Sequence, residues 1–227
     1  MSKYLILSHK VWNESLLDKM KTFLPDEEWF FINSKADFTK ERLDEINPEF
    51  IFIPHWSYFI PNEIYEKFKC IVFHMTDLPF GRGGSPLQNL ISKGFKSTKI
   101  SAIQVVKELD AGDVYLKEEL SLNGTAEEIF LRANNSISKM ILKFIKDKPI
   151  LKKQIGEVTT FKRRTPGMSE IPNKISDIEK LYDHIRMLDA EGYPKAYIEL
   201  HNFKIEFTRA SLKSNENIIA DVRIIKK

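Results

Sequence analysis

The feature that most constrains this chain is an alternation of short apolar runs with amphipathic stretches over its first 145 residues. Tyr4-Leu5-Ile6-Leu7, Trp29-Phe30-Phe31-Ile32, Glu49 to Ile53 and Cys70-Ile71-Val72-Phe73 have the length and character of buried strands. Between them, Asn13 or Ser15 is placed to cap a helix to about Phe23, with Leu16, Leu17, Met20 and Phe23 on one face. Lys40 to Ile46 and Asn62 to Phe68 predict short helices, the second after Pro61. Leu87 to Lys93 predicts another. Lys99 to Lys107 and Asp113 to Glu119 are strand-like. Thr125 opens a long helix to about Phe144, with Glu128 in capping-box spacing. Strands alternating with helices predict a Rossmann-like α/β fold, a mainly parallel sheet flanked by helices. The tail differs. Ile175 to Leu188 predicts a helix, and Ala196 to Leu200, Lys204 to Thr208 and Ile218 to Ile225 alternate as antiparallel strands do, with His201-Asn202 as a turn. The expected organisation is a main domain over 1–155 and a small β-rich extension over 156–227.

Composition narrows the partners. The net charge of +3 over 227 residues is only a weak hint of phosphate-bearing ligands. One cysteine, Cys70, excludes an intrachain disulfide and reads as a buried small hydrophobe in a reducing compartment. No apolar stretch has the length of a membrane span, and the N-terminal run is too short and polar-flanked for a signal peptide. The expectation is a cytoplasmic protein. Ligands of open parallel sheets bind beyond the strands' carboxyl ends, which marks Pro54-His55-Trp56-Ser57 and His74-Met75-Thr76-Asp77. No Gly-x-Gly-x-x-Gly turn follows the first strand and no loop ends in Gly-Lys-Ser/Thr, which disfavours a dinucleotide enzyme or a phosphate-loop ATPase.

The loop from His74 to Gln88 carries the most information. His74, Thr76, Leu78, Pro79, Arg82, Gly83, Pro86 and Gln88 resemble, without a gap, the signature of the folate-dependent formyltransferases, Asn-x-His-x-Ser-x-Leu-Pro followed by Arg-Gly-x-x-Pro-x-Gln. Ile103 to Asp113 resembles that family's second motif, which ends in Asp-x-Gly, here Asp110-Ala111-Gly112. Ile51 to Pro61 is similar to the strand and loop that line its folate site. The resemblance covers about residues 45–145 well and the tail loosely. It implies a one-carbon transferase with 10-formyltetrahydrofolate as cosubstrate and no metal, with His74 as acid/base and Asp110 as its partner. Trp56, Ser57, Tyr58 and the loop of Val106, Lys107, Glu108, Leu109 and Asp110 would hold the folate.

The chemistry fits these residue types. An amine attacking a formyl carbon must shed a proton, and the folate nitrogen must gain one before it leaves. Histidine titrates near neutrality and serves both transfers, and a neighbouring carboxylate orients it. One departure stands out: the family's Asn two residues before the histidine, a donor to the oxyanion, is Val72 here. Loss of such a donor commonly costs on the order of 100-fold in rate.

For the acceptor, the short tail lacks a long basic stripe beyond Phe161-Lys162-Arg163-Arg164, which disfavours nucleic acid. The stretches Thr160 to Pro166 and Ile185 to Pro194 resemble the nucleotide-sugar N-formyltransferases. That resemblance implies a UDP- or dTDP-linked amino-dideoxy sugar destined for a bacterial surface glycan or a nonulosonic acid. Arg82, Gly83, Lys162, Arg163 and Tyr193 are its candidate contacts. The alternatives are another amine acceptor, a ribonucleotide or an aminoacyl-tRNA, or a catalytically weak binding module. No membrane partner is expected, and a homodimer is left open.

Overall fold

Each apolar run becomes a strand in the computed structural model, which describes residues 1–214 and 216–227. Strands β1 (Lys3–Ser8), β2 (Glu28–Ile32), β3 (Phe50–His55), β4 (Cys70–His74), β5 (Ser97–Gln104) and β6 (Val114–Ser121) form one sheet in the order β2-β1-β3-β4-β5-β6. β1 runs parallel to β2 and β3, and β3 to β4, while β4 and β5 are antiparallel with His74 opposite Ser101. The mainly parallel α/β sheet is as expected. β1 and β3 are buried on both faces, which explains why they read as continuous apolar runs rather than alternating ones. On one face Leu5, Leu7, Ile51 and Ile53 pack with Leu43 and Ile46 of α2 (Lys40–Ile46) and Ile64 of α3 (Asn62–Tyr65). On the other, Phe52 meets Phe144 of α5 (Ala126–Asp147) edge-on at 5.6 Å. Each such side chain contributes about 1.5–3 kcal/mol on burial.

The chain divides into two compact units drawn from interleaved stretches. The first comprises Met1–Arg82, Lys99–Leu120 and Leu131–Thr160, and the second Gly83–Thr98, Ser121–Phe130 and Phe161–Lys227. The second contains α4 (Pro86–Ser92), α6 (Ile178–Arg186) and an antiparallel sheet of β7 (Ala196–Leu200), β8 (Phe203–Ser214) and β9 (Asn217–Lys226) in the order β9-β8-β7.

Local chemistry sets the element ends. Glu128 Oε2 accepts from the Thr125 amide at 2.8 Å and Thr125 Oγ1 from the Glu128 amide at 3.3 Å, the reciprocal capping pair expected at α5. α1 (Glu14–Phe23) buries Leu16 and Met20, but Phe23 is 59% exposed. That expected core position fails because Phe23 is the helix's last residue. α6 is shorter than expected because Asp177 caps it, accepting from the Glu179 amide at 2.9 Å. α3 ends at Tyr65, and the chain continues to Phe68 as a turn. β8 outruns its expected span through a bulge at Arg209, whose φ is 49°.

Candidate functional site

His74 is the last residue of β4, so the sheet itself fixes its backbone at a carboxyl end. The loop that follows folds back under the imidazole. His74 Nε2 lies 2.8 Å from the Gly81 carbonyl, an acceptor only, so Nε2 carries hydrogen and donates. The hydroxyl of Thr76 donates to the same carbonyl at 3.3 Å. The Gly81 amide donates to Thr159 Oγ1 at 2.7 Å. Ser101 on β5 donates to the Thr76 carbonyl at 2.7 Å and accepts from the Leu78 amide at 3.3 Å. The loop is thus tied to two other segments before any ligand arrives.

The other ring nitrogen of His74, Nδ1, faces Asp110 Oδ2 at 3.5 Å, and the two side chains are 7% and 10% exposed. Asp110 sits in the left-handed region at φ 53°, which a residue with a Cβ adopts at a cost. Gln154 holds it there. Its Nε2 donates to the Asp110 carbonyl at 2.9 Å and to the Gly112 carbonyl at 2.8 Å. Its Oε1 accepts from Arg82 Nε at 3.1 Å and Nη2 at 2.7 Å. Gly112 is required for its smallness, since a Cβ there would lie 1.8 Å from the Gln104 carbonyl oxygen.

Val72 is two residues before His74 on β4 and packs in an apolar cluster with Leu78, Ile103 and Val114. Asp77 is bound by Lys117 at 2.5 Å and Lys99 at 2.9 Å. Burial pushes its carboxyl up, but the hydrogen bonds from Lys117 and Lys99 outweigh that and hold it below the usual carboxylate value. Burial raises the Cys70 thiol to about 12, in keeping with a small core hydrophobe.

At the carboxyl end of β3, Trp56 stacks edge-on with Tyr58 at 5.3 Å and with His9 at 5.6 Å. Ser57 Oγ lies 3.4 Å from His9 Nε2. Trp56 Nε1 is buried without a hydrogen-bond partner among the described residues, and Tyr58 is 48% exposed. In the loop after β5, Val106 is half-buried, Lys107 and Glu108 are exposed and Leu109 is 55% exposed. These residues fit a flat heteroaromatic ligand: they offer aromatic and apolar surface with an unused indole donor. Among the described residues no group of three His, Cys, Asp or Glu side chains could hold a metal ion.

The candidate acceptor contacts lie in two settings. Arg82 is committed to Gln154. Gly83 and Gly84 pass so close to Phe161 and Arg163 that a Cβ would come within 2.4 and 2.6 Å of them. Lys162 and Arg163 are exposed. Tyr193 stacks on Phe130 at 5.4 Å, and burial raises its hydroxyl to about 12. Sequence reasoning missed the Gly81 carbonyl, Thr159, Gln154 and His9. Gly81 lies inside the His74–Gln88 loop but acts through its backbone carbonyl, which no residue type announces. Thr159, Gln154 and His9 lie in no motif or periodic stretch and act through long-range contacts.

The chain is an α/β protein with a mainly parallel sheet, a His–carboxylate pair suited to acid/base chemistry at one strand's carboxyl end and an aromatic cluster at the carboxyl end of the neighbouring strand. Residues 27–143 match the family described as formyl transferase, and residues 166–225 match the C-terminal domain described for methionyl-tRNA formyltransferase. The chain belongs to the formyltransferase family, whose members are folate-dependent N-formyltransferases. A solved methionyl-tRNA formyltransferase from Clostridium thermocellum is 50% identical over the whole of both chains, with a TM-score of 0.96. The methionyl-tRNA formyltransferase of Bacillus mycoides is 30% identical over 168 residues, 70% of this chain and 53% of that one, so the chain spans about half the length of the curated relatives it matches. HypX from Aquifex aeolicus, solved with tetrahydrofolic acid, shares the fold at 18% identity and a TM-score of 0.74 over 91% of this chain and 38% of that one.

These likenesses overturn the expected nucleotide-sugar acceptor, and with it the disfavouring of nucleic acid. The tail that looked too short and too weakly basic matches, over residues 166–225, a domain described for a tRNA-acting enzyme. A missing basic stripe is a poor guide because charges distant in sequence are brought together by folding. Among the described residues no helix is long and apolar enough to cross a membrane.

Proposed function

We propose that this chain transfers the formyl group of 10-formyltetrahydrofolate to the amine of an aminoacyl-tRNA, with methionyl-tRNA, named in its relatives, as the acceptor. The observation that carries this reading is the end-to-end likeness, at 50% identity, to a solved methionyl-tRNA formyltransferase, in a chain whose His74 and Asp110 meet at the sheet's carboxyl end. When bound, the folate supplies the electrophilic formyl carbon. Trp56, Ser57, Tyr58 and residues 106–110 hold it. His74 is fixed by its Nε2–H bond to Gly81, which leaves Nδ1 as the nitrogen that takes up and returns a proton. Asp110 orients the ring and shares that proton. Val72 offers the oxyanion no donor from its position on β4.

Residues 1–155 carry the transfer chemistry in this reading, and residues 156–227 contribute to acceptor recognition. The test is transfer of labelled formyl from 10-formyltetrahydrofolate to charged methionyl-tRNA. The wild-type chain is expected to label the aminoacyl amine, and His74→Asn and Asp110→Ala to lose about 10²- to 10⁴-fold in kcat. Absence of labelled methionyl-tRNA with the wild-type chain would remove the acceptor. Unchanged turnover in either variant would remove the assigned pair.

A further inference from the structure

Proton exchange at the candidate centre needs His74 in one tautomer, and the group that selects it lies in a loop. Nε2 must keep its hydrogen so that Nδ1, facing Asp110, is the nitrogen that exchanges a proton. What holds the hydrogen on Nε2 is the Gly81 carbonyl, an acceptor only. Gly81 belongs to neither a helix nor a strand, and its φ is 74°. A glycine in such a turn has little preference of its own for where its carbonyl points. The direction is imposed from outside, by Thr159. The Thr159 hydroxyl accepts from the Gly81 amide at 2.7 Å. The Thr159 carbonyl accepts from the Arg82 amide at 3.0 Å, and the Thr159 amide donates to the Pro79 carbonyl at 3.3 Å.

These bonds fall on the two peptide planes that flank the Gly81 α-carbon. The plane before it ends in the Gly81 N–H, bound to the Thr159 hydroxyl. The plane after it carries the Gly81 carbonyl on one edge and the Arg82 N–H on the other. These point in opposite directions because the peptide is planar and trans. With the Arg82 N–H held on the Thr159 carbonyl, the Gly81 carbonyl is turned toward His74. Both soft dihedrals of Gly81 are thereby fixed from a single residue. The Thr76 hydroxyl also donates to the Gly81 carbonyl, at 3.3 Å, but it grips only that oxygen. No element of its own places Thr159. Residues 153–159 form neither helix nor strand, and Ile155 and Val158 are 90% and 53% exposed. The same stretch carries Gln154, which bonds the Asp110 and Gly112 carbonyls. One exposed strap therefore reaches both members of the pair, Gln154 on the carboxylate side and Thr159 on the imidazole side. We infer, on the reading of His74 as the acid/base, that Thr159 is a positioning residue for the transfer, fixing the Nε2–H tautomer of His74 by orienting the Gly81 peptide.

The test reads the ring and the rate separately. Nitrogen-15 NMR of the imidazole, with the His74 signals assigned by their loss in His74→Asn, reports which ring nitrogen carries hydrogen in the neutral form. The wild type is expected to show Nε2–H alone, with a hydrogen that exchanges slowly with water. Thr159→Val keeps the branched shape but offers the Gly81 amide no acceptor. It is expected to show a mixture of the two tautomers, and a kcat lower by roughly 10- to 100-fold with little change in KM for formylfolate or acceptor. Thr159→Ser keeps the hydroxyl and is expected to restore both readouts. Circular dichroism checks folding, and Thr159→Ala takes the place of the valine variant if valine is not accommodated. A merely structural role would lower the melting temperature and leave the tautomer as it is. An unmixed Nε2–H tautomer in the folded valine or alanine variant overturns the inference, and so does a serine variant that behaves like the valine one. The NMR comparison needs neither folate nor acceptor. A wild-type chain that transfers no formyl group removes the proposed function, while the tautomer still decides the part played by Thr159.

Discussion

Gln154 is the residue on which the candidate centre most depends without touching it through its own chemistry. Asp110 is held in a backbone conformation that costs free energy, and the side-chain amide bonding the carbonyls of Asp110 and Gly112 is what offsets that cost. Gln154→Ala removes these bonds together with the two from Arg82. The carboxylate then loses its aim at Nδ1. The expected result is a fall in kcat of roughly 10- to 100-fold with KM for the acceptor little changed, since misplacement of this kind acts on the reacting geometry. A steady-state comparison decides it, and an unaltered kcat would show that Asp110 keeps its place unaided. Val72 makes a converse case. Asparagine there would restore a donor but bury an amide among Leu78, Ile103 and Val114. Val72→Asn is expected to raise kcat, by up to about 100-fold, and to lower stability by about 1–3 kcal/mol. A lower stability without a rate gain would mean that another donor already serves the oxyanion.

At the scale of elements, the loop after β4 is pinned by charges as well as by backbone. Lys117 on β6 and Lys99 on β5 both reach Asp77. Their bonds depress the Asp77 carboxyl in the folded state, so the stability they give is complete above the ordinary carboxylate value of about 3.9. It fades as pH falls through the lower folded-state value. Asp77→Asn should therefore melt below the wild type at neutral pH, and the gap should close in strong acid. Melting curves across that range check it, and a gap independent of pH would exclude the charge as its source. The strands themselves were legible from sequence because β1, β3 and β4 are buried runs whose character is local. His74 and Asp110 were legible only because motif spacing named them. Nothing local marks Gln154 or Thr159, whose roles come from hydrogen bonds to residues far away in the chain. The Phe23 side chain was misjudged for a related reason: periodicity places a residue on a face but does not say how far the covering core extends.

Across the whole molecule, the second unit is assembled from three separated stretches, and buried polar groups join them. Arg186 is 2% exposed and donates to Asp183 at 2.6 Å, to the Leu122 carbonyl at 2.6 Å and to the Gly124 carbonyl at 2.8 Å. Gln88 donates to the Met187 carbonyl at 3.3 Å, and the Glu127 amide to the Asp189 carbonyl at 3.0 Å. The stretches 83–98 and 121–130 thus find their partners in α6 and the turn after it, a grouping that no local pattern in the chain announces. The energetic consequence falls mainly on Arg186. Removing it leaves the Asp183 carboxylate, itself only 6% exposed, without its close cation, and the carbonyls of Leu122 and Gly124 without their donor. Lys96 stands 3.8 Å from Asp183 but is mostly exposed and offsets little of this. Arg186→Ala is expected to cost about 3–5 kcal/mol, the range for a buried pair broken on one side. Arg186→Met with Asp183→Leu should cost less than the sum of the two single changes, because no charge is then left alone. Denaturant titrations of the four proteins supply the cycle. Strict additivity would mean that Asp183 and Arg186 are solvated independently, and the clamp between α6 and residues 121–130 would then rest on apolar packing alone.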